Sequence, residues 1–227
     1  MRTARTARTV RTAALLVAGR VGLVALAGCG GGGGQADAGL PVIVTTTQAS
    51  SPFRGTVLDQ PLPKPSVTLT DTSGQKVDLA TSTAGQVVAL YVGYTHCPDV
   101  CPTTMADLSV AVRSLPAADR GKVSVVMITS DPARDTEARM REWLDAFDPT
   151  FVGLTGGYAD VSKAAHEVGI PIEPPVQQPD GTWVVDHGAQ VLLYSPRTGT
   201  AKLVFTSGFT PADIAHDMST LIEGVDP

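Results

Sequence analysis

Cys97 and Cys101 stand four residues apart, each followed by a proline, at the end of the stretch Val87–Pro102, VVALYVGYTHCPDVCP. Two thiols so close can pair as a disulfide, exchange disulfides with another protein, or hold a soft metal ion as thiolates. The chemistry depends on what positions them. Val87 to Val92 is an apolar, β-branched run too short for a helix and closed by Gly93, which predicts a buried strand. Pro98 and Pro102 fit only the first turn of a helix, and Met105, Leu108, Val112 and Leu115 then follow at steps of three and four. The cysteines are thus placed at a helix start just past a strand, on one side of one turn. Unpaired N–H groups and the helix dipole at that end favour negative charge, so at least one sulfur should ionise more readily than a free cysteine.

The elements around this stretch alternate. The helix is expected to end near Asp119-Arg120-Gly121. Val123 to Ile128 is a second apolar strand, and alternation of strands with helices implies that it pairs in parallel with Val87–Val92. Asp131 follows at its carboxyl end, where open α/β sheets bind ligands. Asp135 or Thr136 is placed to cap the helix that carries Met140, Trp143, Leu144 and Phe147. Phe151–Leu154 reads as a short strand and Tyr158–Val168 as a helix, with His166 among solvated residues. Gly169 to Gly181, with Pro171, Pro174, Pro175 and Pro179, reads as a long irregular segment. Val191–Tyr194 and Lys202–Phe205 flank the turn Pro196-Arg197-Thr198-Gly199 as a hairpin, with His187 just ahead of it. Thr210-Pro211-Ala212-Asp213 starts a last helix whose face is Ile214, Met218, Leu221 and Ile222. Upstream, Pro52–Pro65 is extended, and Val67–Leu69 with Val77–Leu79 reads as a small hairpin.

Strand, paired cysteines and helix in that order resemble thioredoxin-like proteins, and GYTHCPDVCPTT resembles the SenC/Sco family of copper-binding assembly factors. The spacing is Cys-x3-Cys, not the Cys-x2-Cys of disulfide oxidoreductases. DPARDT, Asp131 to Thr136, is similar to a second family signature. The resemblance implies an α/β, thioredoxin-like fold with an N-terminal β-hairpin addition. It also implies a third metal ligand in the Val-Asp-His segment, His187, beside Cys97 and Cys101. Asp131 is expected to cap or to support the ligands from outside rather than bind the ion. Gly188 and Ser195 depart from the commoner family residues. His96 and His216 are read as non-ligating. Two thiolates and an imidazole suit Cu(I) as a three-coordinate ion and can hold Cu(II), whereas zinc would need water or Asp131 as a fourth ligand. The implied function is copper delivery to the binuclear site of cytochrome c oxidase subunit II, or to another extracytoplasmic cuproprotein, with an upstream copper donor. A thiol–disulfide reductase acting on the receiver's cysteines needs only Cys97 and Cys101. A peroxidase of the peroxiredoxin kind places a threonine or serine three residues before its cysteine, but here Thr95 is two before Cys97 and no proline lies in Leu90–Tyr94.

Residues 1–28 carry Arg2, Arg5, Arg8, Arg11 and Arg20, no acidic residue and an apolar stretch, the pattern of an export signal. Leu26-Ala27-Gly28-Cys29 resembles a bacterial lipobox, so Cys29 is expected to be lipidated and to anchor the chain on the extracytoplasmic face of the membrane. The arginine-free run from Val21 to Gly28 falls far short of the ~20 residues of a spanning helix. Residues 29–51, with five consecutive glycines, read as a flexible tether, and residues 52–227 as one domain. Removing residues 1–28 leaves 12 basic against 22 acidic residues, a net charge of −10 that disfavours nucleic acid. With Cys29 assigned to lipid, Cys97 and Cys101 either pair as a disulfide outside the cytoplasm or are occupied by something else.

Overall fold

The computed structural model describes residues 51–227; the expectations for the signal, for Cys29 and for nearly all of the tether fall outside these residues. In chain order the elements are β1 (Thr56–Pro63), β2 (Leu69–Asp71), β3 (Lys76–Val77), α1 (Leu79–Ser82), β4 (Val87–Gly93), α2 (Val100–Ser114) and α3 (Ala117–Arg120). Next come β5 (Val123–Thr129), α4 (Glu137–Asp145), β6 (Val152–Thr155), α5 (Tyr158–Glu167), β7 (Val176–Gln177), β8 (Trp183–Val184), β9 (Val191–Tyr194), β10 (Thr200–Phe205) and α6 (Pro211–Ile222).

The main sheet runs β1-β10-β9-β4-β5-β6-β2-β3. Its centre, β4, β5 and β6, is parallel, as expected from the alternation, and β9 joins β4 antiparallel. Every residue of β4 is buried because helices cover both faces. Val87, Ala89 and Tyr91 face the cluster completed by Met105, Leu108 and Val112 of α2 and by Ile214, Met218 and Leu221 of α6. Val88, Leu90 and Val92 face the opposite cluster with Val161, Ala164 and Ala165 of α5. Among the described residues both clusters are built between Phe53 and Leu221, one on each face of the central sheet.

The N-terminal hairpin forms, but on Leu69–Asp71 and Lys76–Val77 in place of the expected Val67–Leu69 and Val77–Leu79, with Leu79 starting α1; it adds to the β6 edge of the sheet. The segment read only as extended supplies β1, which covers the opposite edge by pairing with β10. Its entry is fixed by Asp217, a buried carboxylate of α6 that accepts from the Arg54 N–H at 2.9 Å and the Gly55 N–H at 2.8 Å.

Two further stretches differ from expectation. α2 stops at Ser114 because Pro116 cannot continue it, and Ala117–Arg120 is a separate turn of helix. The segment after Gly169 is not wholly irregular, since β7 and β8 pair as a two-stranded arm that carries the chain toward His187. Helix starts follow their caps: Thr136 Oγ1 accepts from the Arg139 N–H at 3.2 Å, and Thr210 and Asp213 form a capping box.

Candidate metal centre

β4 delivers the chain to the carboxyl edge of the sheet, and Tyr94 to Asp99 turn it into α2. Cys97 lies in that turn, 8% exposed, and Cys101 is the second residue of α2, 0% exposed; both are free thiols. Pro102, in the first helical turn, has no N–H to leave unpaired. The two sulfurs differ electrically. Burial alone would push Cys97 up, but the N–H groups of Asp99, Cys101 and Val100 point at its sulfur and hold the thiol below its ordinary range. Burial pushes Cys101 up to about 12, against the opposing Tyr91 hydroxyl and the Tyr94 backbone. The Tyr91 hydroxyl donates to Cys101 Sγ at 3.2 Å. That approach depends on Gly93, where a Cβ would stand 2.4 Å from Tyr91 Cε1 and 3.0 Å from Cys101 Sγ.

His187 arrives from the other side, between β8 and β9. Its Nδ1 donates to the Gly188 carbonyl at 2.7 Å. A carbonyl oxygen only accepts, so the proton sits on Nδ1 and the Nε2 lone pair is left for an ion. The Gly188 N–H donates to the Val92 carbonyl at 2.9 Å, docking the loop on the end of β4. A Cβ at Gly188 would meet that same oxygen at 3.2 Å and the Ile170 side chain at 3.3 Å, so the loop lies closely against the end of β4. The His187 ring lies 5.5 Å from that of Tyr94 at 49°. One ligand atom each from Cys97, Cys101 and His187 then lie within 4.8 Å of one another. A three-coordinate ion with bonds of about 2.0–2.3 Å needs ligand atoms about 3.5–4 Å apart, so the set fits after side-chain adjustments of under about 1 Å.

Asp131 does not join this group. Buried at 0% exposure, it accepts from Arg134 Nε at 2.5 Å through Oδ2, while its Oδ1 has no partner among the described residues. Its near neighbours are Asp135 and His96. The Arg134 guanidinium in turn lies 4.7 Å above the Trp183 ring, four residues before His187. Asp131 therefore reaches the histidine loop through Arg134 and Trp183.

Asp135, read from sequence only as a possible cap, has a larger part. It accepts from the Thr95 N–H at 2.9 Å, the Thr95 hydroxyl at 2.7 Å and the Thr129 hydroxyl at 2.7 Å, tying the turn before Cys97 to the end of β5. His96 Nδ1 lies 3.2 Å from the same carboxylate. His216 pairs with Asp217, and His166 is exposed on α5. The residues around the site whose contacts the sequence does not disclose are Tyr91, Arg134 and Trp183. None carries a local signal, because a buried hydroxyl in an apolar strand and a stacked arginine show only once the chain is folded.

The family model described as SCO1/SenC matches residues 59–223. The fold superposes on that of Bradyrhizobium japonicum ScoI with copper bound at a TM-score of 0.61 and 34% identity, covering 72% of this chain and 99% of that one. It superposes on apo Sco1 from Thermus thermophilus at a TM-score of 0.65 and 31% identity, covering 76% and 99% of the two chains. The mitochondrial SCO2 homolog of Mus musculus is 37% identical over 113 residues, 49% of this chain and 44% of its own length. The curated relatives are matched over 38 to 64% of their length. With these likenesses the architecture is that of the thioredoxin-like Sco structures.

Proposed function

The chain belongs to the SCO1/SenC family, and from that premise we propose that it is a copper chaperone of cytochrome c oxidase assembly, carrying one copper ion on Cys97, Cys101 and His187. The observation that carries the reading is the convergence of two thiols and one imidazole from distant parts of the chain within 4.8 Å. Thiolate and imidazole donors select copper over hard cations. The copper is cargo. Cys97 and Cys101 sit on a rigid strand-to-helix turn, while His187 sits on a loop whose withdrawal would open the ion to a receiver's ligands. The recipient is the binuclear site of oxidase subunit II or another extracytoplasmic cuproprotein. Lipidation of Cys29 and a tether over residues 29–51 would hold the domain near such a recipient and raise its effective concentration for a transient exchange.

An anaerobic copper titration of residues 51–227 beside the His187→Ala variant tests this. The expected result is one tightly held copper per chain in the parent and a large loss of affinity in the variant. Weak binding that ignores the substitution would overturn the three-ligand site.

The asymmetry of the two thiols supports a second activity on the same residues, reduction of a disulfide in the receiving protein. Cys97 thiolate attacks one sulfur of the receiver's disulfide, forming a mixed disulfide and releasing the other sulfur as thiolate. Cys101 then attacks Cys97 Sγ, breaking its bond to the receiver and releasing the second receiver sulfur as thiolate; the Cys101 proton passes to the thiolate released first, and the second takes from solvent the proton that Cys97 had given up on ionising. The receiver leaves as a dithiol and Cys97–Cys101 as a disulfide, two electrons having moved. His187 takes no part, so His187→Ala should retain this activity.

A further inference from the structure

We propose that Tyr91 is a positioning residue for the cysteine pair: its buried phenol is the donor that holds Cys101 Sγ in place, in the free dithiol and under a bound copper ion. The inference rests on the reading of Cys97, Cys101 and His187 as a copper site. Cys97 has a ring of backbone N–H groups around its sulfur, as a helix start supplies. Cys101 is one turn further in, 0% exposed, and Tyr91 Oη at 3.2 Å is the side-chain donor to its sulfur.

Position argues the same way. Tyr91 lies on the face of β4 whose other members are Val87 and Ala89, and is itself fully buried. A hydroxyl there costs free energy unless it is partnered, and a phenylalanine would fill the same volume without that cost. The Cys101 sulfur is the partner. Gly93, the next residue on that face, leaves the ring and the sulfur the space to meet, since any Cβ there would overlap the Tyr91 ring.

Two consequences follow from a hydrogen bond to sulfur. A free thiol sulfur keeps its place opposite the phenol, whereas forming the disulfide pulls Cys101 Sγ toward Cys97 and away from that donor, so the hydrogen bond favours the reduced pair over the oxidised one. On a copper-bound thiolate the same bond draws electron density from sulfur, weakens its donation to Cu(II) and favours Cu(I).

The test compares residues 51–227 with the Tyr91→Phe variant in two measurements. The first is metal-free: equilibration with glutathione, in which one glutathione disulfide oxidises the Cys97–Cys101 pair and two reduced glutathiones form. Tyr91→Phe should shift this equilibrium toward the protein disulfide by about three- to fivefold, the size of a hydrogen bond between neutral groups. The second is the thiolate-to-Cu(II) absorption, which should move to longer wavelength. A variant with parental melting temperature that matches the parent in both readings would overturn the proposal. Should Tyr91→Phe fail to fold, 3-fluorotyrosine at position 91, a stronger donor, must shift both readings the opposite way, and no shift overturns the proposal. A parent that does not bind copper would sink the chaperone reading while leaving the glutathione equilibrium to decide the role of Tyr91.

Discussion

The cysteine side and the histidine side of the centre are held by different amounts of structure. Cys97 and Cys101 sit where a fully buried central strand meets a 15-residue helix, with Asp135 bonding the turn to the neighbouring strand. His187 sits on a loop between a two-residue strand and the sheet, held by the Gly188–Val92 backbone bond, the Tyr94 ring and the Arg134–Trp183 stack. One half must keep two sulfurs at a fixed spacing. The other must be able to leave. Segments with few buried contacts open at low free-energy cost, and a carrier that both holds and releases an ion needs one such segment.

The comparison breaks most severely at His187. If the loop contributes a ligand and not merely a cover, His187→Ala should lower copper affinity by more than the roughly 10–100-fold that loss of a residue supporting a ligand causes. The thiol reactivity of the variant should stay that of the parent. Competition with a copper chelator measures the first and iodoacetamide labelling the second. An affinity loss of only a few-fold would reduce the loop to a lid.

The next effect divides the cysteine side itself. Thiolate, not thiol, is the reactive form. Cys97, held below the ordinary thiol range by N–H groups despite its burial, should alkylate readily at neutral pH and saturate below the usual value of about 8.5. Cys101, pushed up to about 12 by burial, should still gain rate as pH rises past that point. The ratio at neutral pH should be on the order of a hundredfold, reduced from the full difference in ionisation by the weaker nucleophilicity of a low-pKa thiolate. Peptide mapping after brief labelling reads it, and equal labelling would contradict the asymmetry.

A smaller change is expected on the histidine side from Gly188→Ala. The new Cβ would stand 3.2 Å from the Val92 carbonyl, which belongs to the centre of the sheet and cannot retreat, so the loop must move instead. A shift of a few tenths of an ångström in His187 should weaken copper binding by about tenfold, with labelling of Cys97 unchanged. An unchanged chelator competition would show that the loop reaches the site without this close approach.

The same division explains what the chain disclosed before its structure. The cysteine side was legible because it is local: strand, turn and helix follow one another from Val87 to Ser114, and each has its own signal in apolar runs, prolines and period. Thr136 and Thr210 cap the helices expected of them for the same reason. The end of α2 was misjudged because Asp119-Arg120-Gly121 resembles a helix end, although Pro116, just past the last apolar position Leu115, stops the helix first. β1 was missed because Pro61 and Pro63 interrupt any alternation; it survives as an edge strand whose register shifts between Val57 and Leu62. On the histidine side nothing local marks Arg134 as a partner of Trp183, and in a strand buried on both faces nothing marks the Tyr91 hydroxyl as more than bulk.

The smallest expected effect concerns how far that unmarked stack controls release. Arg134 is anchored by the buried carboxylate of Asp131, so replacing it would leave a buried charge without its partner and confuse loop opening with general destabilisation. Trp183 offers the cleaner cut, because it is 38% exposed and its removal leaves the Asp131–Arg134 pair intact. A cation–π contact at a site of that exposure contributes about 0.5–1 kcal/mol, so Trp183→Leu should speed copper release to a chelator by about two- to fivefold. Because the stack holds only the loop, neither the glutathione equilibrium of the cysteines nor the melting temperature should move appreciably. Stopped-flow chelator capture gives the rate. A release rate equal to the parent's would mean that the Gly188–Val92 bond and the Tyr94 ring alone keep the loop in place, and that the line from Asp131 through Arg134 ends at Trp183 without reaching the metal centre.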